Sequence, residues 1–142
     1  MSVITGQIKK LFTAGLVIVK QEKLLLAFSS NKQAWYLPGG KIDNNETAIE
    51  ALIREVKEEL NIELEKSRLK FYTHISAQAF GETTGVIMEQ DCFLYELKET
   101  PRPSAEIKAI RYFNCNDYPV EKKQVPGVIM ILEKLKADRL IN

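Results

Sequence analysis

The sequence is short of the residues from which several functional classes are built. Two cysteines, Cys92 and Cys115, and one histidine, His74, are too few for a four-ligand zinc site of the usual Cys/His kind. They are also too few for a disulfide scaffold, and two buried thiols are the plain expectation. No apolar run approaches a membrane span, and Met1 to Lys10 lack the apolar stretch followed by small residues that marks a secretory leader. A cytoplasmic setting with no membrane partner is therefore expected. Neither sign of charge dominates: twenty Lys and Arg against nineteen Asp and Glu leave a formal +1. No global field draws the chain to a long nucleic acid, and any anion it handles must be held locally. Repeats, low-complexity tracts and linkers are missing as well, which leaves one domain over residues 1–142.

What is present suits an ordinary folded domain. With 142 residues, 45% hydrophobic and 27% charged, the chain can bury roughly 68–70% of its unfolded surface, enough for a core without staples. Thr13 to Lys20 and Leu24 to Phe28 are rich in aliphatic residues and are separated by a short polar stretch, which predicts two strands and a tight connection. A polar loop, Ser29 to Gln33, precedes a short strand at Trp35 to Leu37, and Pro38, Gly39 and Gly40 predict a bend with exposed main chain. Leu69 to Ala79 and Val86 to Leu97 read as strands around a turn at Gly81 to Gly85, and Ile110 to Phe113 as another. The tail from about Pro126 to Leu140 reads as a helix with Pro126 in its first turn. Hairpins with two helices predict an α/β class (α+β) fold, an α/β/α sandwich with a mixed sheet flanked by helices.

The chemistry concentrates on the segment from Thr47 to Leu60, where the periodicity is helical. Thr47 with Glu50 three positions later forms a capping box, and Asn61 tolerates the left-handed conformation in which helices end. Successive side chains placed about 100° apart put Ile49, Leu52, Ile53, Val56 and Leu60 on one arc, suited to packing on a sheet. Glu55, Glu58 and Glu59 fall on a second arc whose other members, Ala48 and Ala51, are small. Clustered carboxylates repel one another unless they share a cation, and an all-oxygen set suits hard ions such as Mg²⁺ or Mn²⁺. Arg54 flanks the cluster, where its fork can orient a carboxylate. The plain alternative is a solvated acidic face. The preceding Gly39 and Gly40 weigh against it, because their exposed main chain offers a carbonyl to a metal and an amide to a phosphate.

Read as Gly40, five residues, Glu46, seven residues, Arg54, Glu55, Val56, one residue, Glu58, Glu59, one residue, Asn61, Ile62, this segment resembles the signature box of the Nudix hydrolases. Trp35, Leu37, Pro38 and Gly39 lead into it as in many members, and the one departure is Asn61, where the family usually has glycine. The resemblance implies metal-dependent hydrolysis of a nucleoside diphosphate linked to another group. It implies Glu55, Glu58, Glu59 and the Gly39 carbonyl as metal ligands, Arg54 as the residue that orients the glutamates, and Glu46 as a supporting position. Glu106 resembles the further loop glutamate that in several relatives joins the metal or acts as general base. It also reads as an ordinary loop carboxylate.

The expected partner is a small nucleotide, with a (deoxy)nucleoside triphosphate leading. Nucleotide sugars and dinucleoside polyphosphates are alternatives within the same chemistry, and a non-catalytic nucleotide-binding regulatory module is an alternative outside it. Lys41 is a candidate phosphate contact that reads more readily as a solvated lysine, Phe28, Trp35, Tyr36 and Phe80 are candidate stacking platforms that read more readily as core, and Lys122 to Gln124 is a candidate recognition loop. The oligomeric state stays open, a homodimer included.

Overall fold

In the computed structural model, which describes residues 9–82 and 85–142, the amino-terminal hairpin forms where the aliphatic runs predict it. Strand β1 covers Lys9–Val17, β2 Val19–Lys20 and β3 Lys23–Ser29. Gln21 and Glu22, with φ of 51° and 60°, make the two-residue turn between β2 and β3. Such turns need left-handed backbone at both central residues to match strand twist. The remaining strands are β4 (Ala34–Tyr36), β5 (Gly39–Lys41), β6 (Lys70–Gln78), β7 (Val86–Leu94) and β8 (Ile107–Phe113). The helices are α1 (Ala48–Leu60) and α2 (Pro126–Ala137), the latter stopping short of the expected Leu140. Thr83 and Thr84, in the predicted Gly81 to Gly85 turn, and most of Met1 to Lys10 lie outside the described residues.

One four-stranded sheet runs β5-β1-β7-β6, with β1 and β7 parallel and the outer pairs antiparallel. In the other, β3 is central, β2 and β4 share one of its edges and β8 takes the opposite edge. Leu24, Leu25, Leu26 and Ala27 are all essentially without exposure, because both faces of β3 are covered. Successive residues alternate between two cores: Leu24 and Leu26 join Val128, Ile131 and Leu135 of α2, while Leu25 and Ala27 join Leu52, Val56 and Leu60 of α1. A strand buried on both faces reads as an unbroken apolar run. Helices lie on opposite sides of the mixed sheet layer, as the sandwich expectation requires. Among the described residues no helix is long and apolar enough to cross a membrane.

One local expectation is corrected. Of the expected bend over Pro38, Gly39 and Gly40, only Pro38 bends; Gly39 and Gly40 with Lys41 are β5, paired to β1 through Gly15↔Gly39, Ala14↔Gly40 and Thr13↔Lys41. Glycine permits this close approach: Gly39 has φ 137°, and a Cβ there would sit 2.0 Å from the Ala14 carbonyl oxygen.

Candidate active site

Helix α1 is fixed at both ends by its own sequence. The Thr47 hydroxyl accepts from the Glu50 amide (3.1 Å) and the Glu50 carboxylate from the Thr47 amide (2.8 Å), completing the predicted capping box. Asn61 closes the helix at φ 59°, ψ 37°. Leu52, Val56 and Leu60 are buried on the sheet side as the periodicity requires, with Ile49 and Ile53 half-buried beside them.

The second arc is not solvated throughout. Glu59 is only 5% exposed and Ala51 is fully buried, so that side of the helix faces β5. The β1–β5 ladder explains what it meets there. Leu16 donates to the Pro38 carbonyl and Ile42 to the Phe12 carbonyl. These are the hydrogen-bonded pairs, so at the alternate residues Gly39 and Lys41 the amide and carbonyl both turn away from β1. Two contacts agree with that geometry: the Gly39 amide donates to Glu59 Oε1 (3.1 Å), and Arg54 Nη2 donates to the Lys41 carbonyl (3.1 Å). The Gly39 carbonyl therefore opens on the same side as Glu59. Gly40 keeps the space for Glu55, whose Cδ would lie 2.6 Å from an added Cβ.

Arg54 grips Glu46 with two parallel bonds, Nε to Oε2 at 2.8 Å and Nη2 to Oε1 at 2.9 Å. Its Nη1 reaches Glu55 Oε2 at 2.8 Å and lies 3.9 Å from Glu58 Oε1. The guanidinium holds the Glu46 carboxyl down to about 2, and the two carboxylates hold Arg54 above its ordinary range. Burial pushes Glu59 up to about 8 against the pull of the Gly39 amide, and neighbouring Glu55, Glu106 and Glu58 add to the rise. Glu55 is raised as well, chiefly by burial, with Arg54 opposing.

Glu55, Glu59 and Glu106 line one cleft of about 420 Å³ together with Gly39, Gly40 and Lys41. Glu58 does not line it and is exposed. Among the described residues no three acidic groups already surround a common point as metal ligands do. Glu106 arrives from the loop before β8; its carboxylate accepts from Asn31 Nδ2 (2.9 Å) and its carbonyl from the Ser30 amide (2.8 Å). Of the candidate stacking residues, Tyr36 and Phe80 line the cleft, whereas Phe28 and Trp35 belong to an edge-to-face series that runs on through Phe113 to Tyr118 of the core. In the Lys122 to Gln124 segment, the Gln124 amide caps Tyr118 and Glu121 carbonyls and Lys123 reaches the Lys32 carbonyl.

Several cleft residues escape sequence reasoning. Thr13 and Gln90 are among them; Thr13 Oγ1, like the hydroxyl of the stacking candidate Tyr36, is buried with no hydrogen-bond partner among the described residues. A threonine inside the aliphatic run of β1 was the available signal. Lys32 bridges to Glu82 (2.9 Å) and the Phe80 carbonyl (3.3 Å) across the cleft wall, a contact with no local pattern.

Comparison with known proteins places these features in context. The NUDIX domain family model matches residues 9–134. The chain is 32% identical over 107 residues to an ADP-ribose pyrophosphatase of Methanocaldococcus jannaschii, covering 72% of this chain and 61% of that protein. It is 36% identical over 66 residues to an 8-oxo-dGTP diphosphatase of Proteus vulgaris, covering 43% and 59%. In both cases it spans less than two thirds of the relative's length. The crystal structure of a MutT protein from Methanosarcina mazei shares the fold at a TM-score of 0.73 and 18% identity, over 94% of this chain and 97% of that one.

Proposed function

This chain belongs to the NUDIX family, and on that premise we propose that it hydrolyses the pyrophosphate bond of a nucleoside diphosphate linked to another group. The substrate we assign is a (deoxy)nucleoside triphosphate, cleaved to the monophosphate and pyrophosphate. The observation that carries this reading is the convergence of Glu55, Glu59 and Glu106 on a single cleft that Tyr36 and Phe80 also line. A pocket joining clustered carboxylates to aromatic walls suits a ligand with a charged end and a planar end.

The residues fit a hard divalent cation. The donors are all oxygens, Glu59 is a buried carboxyl with one amide partner, and Gly40 leaves room for Glu55 that a side chain would fill. Glu55, Glu58, Glu59 and the Gly39 carbonyl would hold Mg²⁺ or Mn²⁺; position i+3 places Glu58 beside Glu55 on the helix. When bound, such an ion offsets phosphate charge and lowers the pKa of water. The chain's own groups do the rest. Arg54, anchored by Glu46, keeps one Glu55 oxygen oriented, and Glu106 accepts the proton of the attacking water as general base.

A second reading, a nucleotide sugar as substrate, draws support from the Methanocaldococcus jannaschii relative, which matches most of this chain. A panel of nucleoside triphosphates, nucleotide sugars and dinucleoside polyphosphates with Mg²⁺, with products identified, separates the two. Glu58→Gln is expected to lower turnover by orders of magnitude and keep the fold, and full activity in that variant contradicts the assignment. Ligand-induced shifts in melting temperature without any turnover across the panel would instead indicate a binding module.

A further inference from the structure

We infer that Asn61 and Ser104 are positioning residues that fasten the Glu106 loop to the carboxyl end of α1. The inference rests on the reading of Glu106 given above. A helix leaves its last four carbonyls without intrahelical partners, and at a solvated end water satisfies them. In this chain a distant loop does so. Beyond the bond from the Asn61 amide to the Lys57 carbonyl (3.1 Å), Ser104 Oγ donates to the Glu58 carbonyl (2.6 Å) and the Ser104 amide to the Glu59 carbonyl (2.9 Å). The Arg102 amide donates to the Leu60 carbonyl (2.8 Å).

Asn61 adds a second set of bonds in the opposite direction. Its Nδ2 donates to the Arg102 carbonyl (2.6 Å) and to Ser104 Oγ (3.1 Å), so the Ser104 hydroxyl is at once acceptor from Asn61 and donor to the helix. The backbone at Asn61, φ 59°, suits glycine at least as well. What asparagine supplies beyond that conformation is this side-chain tether.

From the anchor to Glu106 is two residues. A turn closed by the Ile107 amide on the Ser104 carbonyl (3.0 Å), with Ala105 at φ 55°, swings the chain so that Glu106 lines the cleft with Glu55 and Glu59. The helix that carries the glutamates thus also sets where the opposing loop carboxylate stands. Releasing the tether takes away the two Asn61 side-chain bonds and leaves the Ser104 and Arg102 bonds to the helix carbonyls, with the Ser30 and Asn31 contacts on the other side, so the loop is loosened rather than freed.

The test uses Asn61→Gly, which fits the backbone and removes the tether, and Asn61→Asp, which keeps the shape but cannot donate to the Arg102 carbonyl. With a nucleoside triphosphate and Mg²⁺ in the assay, both are expected to lower kcat about tenfold, with KM, Mn²⁺ affinity and melting temperature near wild type. Amide exchange at Arg102 and Ser104 should accelerate. Glu106→Gln should lower kcat further, and Asn61→Gly combined with Glu106→Gln should be no slower than Glu106→Gln alone, since the tether acts through that carboxylate. Wild-type kcat in Asn61→Gly beside a crippled Glu106→Gln overturns the inference alone, as does an additive loss in the double variant. Full turnover in Glu106→Gln overturns the reading of Glu106 and the inference with it.

Discussion

Glu59 is the most exacting point of the site. Its carboxyl is buried against β5 with one amide partner and is held near 8 rather than the ordinary 4.5. Below 4.5 both folded and unfolded chains carry the proton, so there is no effect on stability. As pH rises from 4.5 toward 8 the unfolded chain releases the proton while the folded one retains it, and the folded state is progressively destabilised. By pH 8 the loss is on the order of 4 kcal/mol, a large share of the stability of a domain this size. Glu59→Gln keeps the shape and an oxygen for the Gly39 amide but has nothing to titrate. In urea unfolding with EDTA present, the variant should match the wild type at pH 5 and exceed it by a few kcal/mol at pH 8. Adding Mg²⁺ at pH 8 should stabilise the wild type more than the variant, because the ion replaces the proton. A stability difference that is constant from pH 5 to pH 8 would show that burial does not hold the proton on Glu59.

The two glycines of β5 should separate stability from activity. Gly40→Ala meets only the flexible Glu55 carboxyl, so activity should fall at least tenfold with a melting temperature within a few degrees of wild type; Gly39→Ala meets the Ala14 backbone at φ 137° and should cost about 3 kcal/mol or more in denaturant unfolding. His74 Nε2 and Nδ1 each lie 2.7 Å from a carboxylate, of Glu89 and Asp91, which raise its pKa. Its contribution to stability should be full below the ordinary value near 6.5 and vanish as pH rises through the raised folded value. NMR titration of this single histidine should place its midpoint above 6.5, and His74→Gln should flatten the dependence of melting temperature on pH in that window.

How much of this was legible in the sequence depended on whether the determinant was local. The capping box at Thr47, the left-handed stop at Asn61, and the separation of Leu52, Val56 and Leu60 from Glu55 and Glu59 are consequences of spacing along one helix, and all were readable. The apolar run of β3 disclosed a strand because burial on both faces removes alternation. Gly39 and Gly40 misled, because glycine marks both turns and close backbone approaches; only the pairing with β1 decides between them. The burial of Glu59 was not readable, since nothing local to the helix discloses the edge of β5 lying against it. The partners of Glu106, Asn31 from one side and the Ser104 anchor from the other, are joined by contacts 43 to 75 residues apart, and no periodicity carries such information.

The proposed chemistry depends first on α1 presenting a divalent-ion site through Glu55, Glu58 and Glu59. Titration of Mn²⁺ into the full chain at pH 8, followed by electron paramagnetic resonance with and without nucleotide, tests it most directly. Bound Mn²⁺ is expected in the wild type and its loss in the Glu55→Gln, Glu58→Gln, Glu59→Gln triple variant, with retention of the fold checked by circular dichroism. Equal Mn²⁺ binding by the triple variant, or none by the wild type even with nucleotide present, would contradict it.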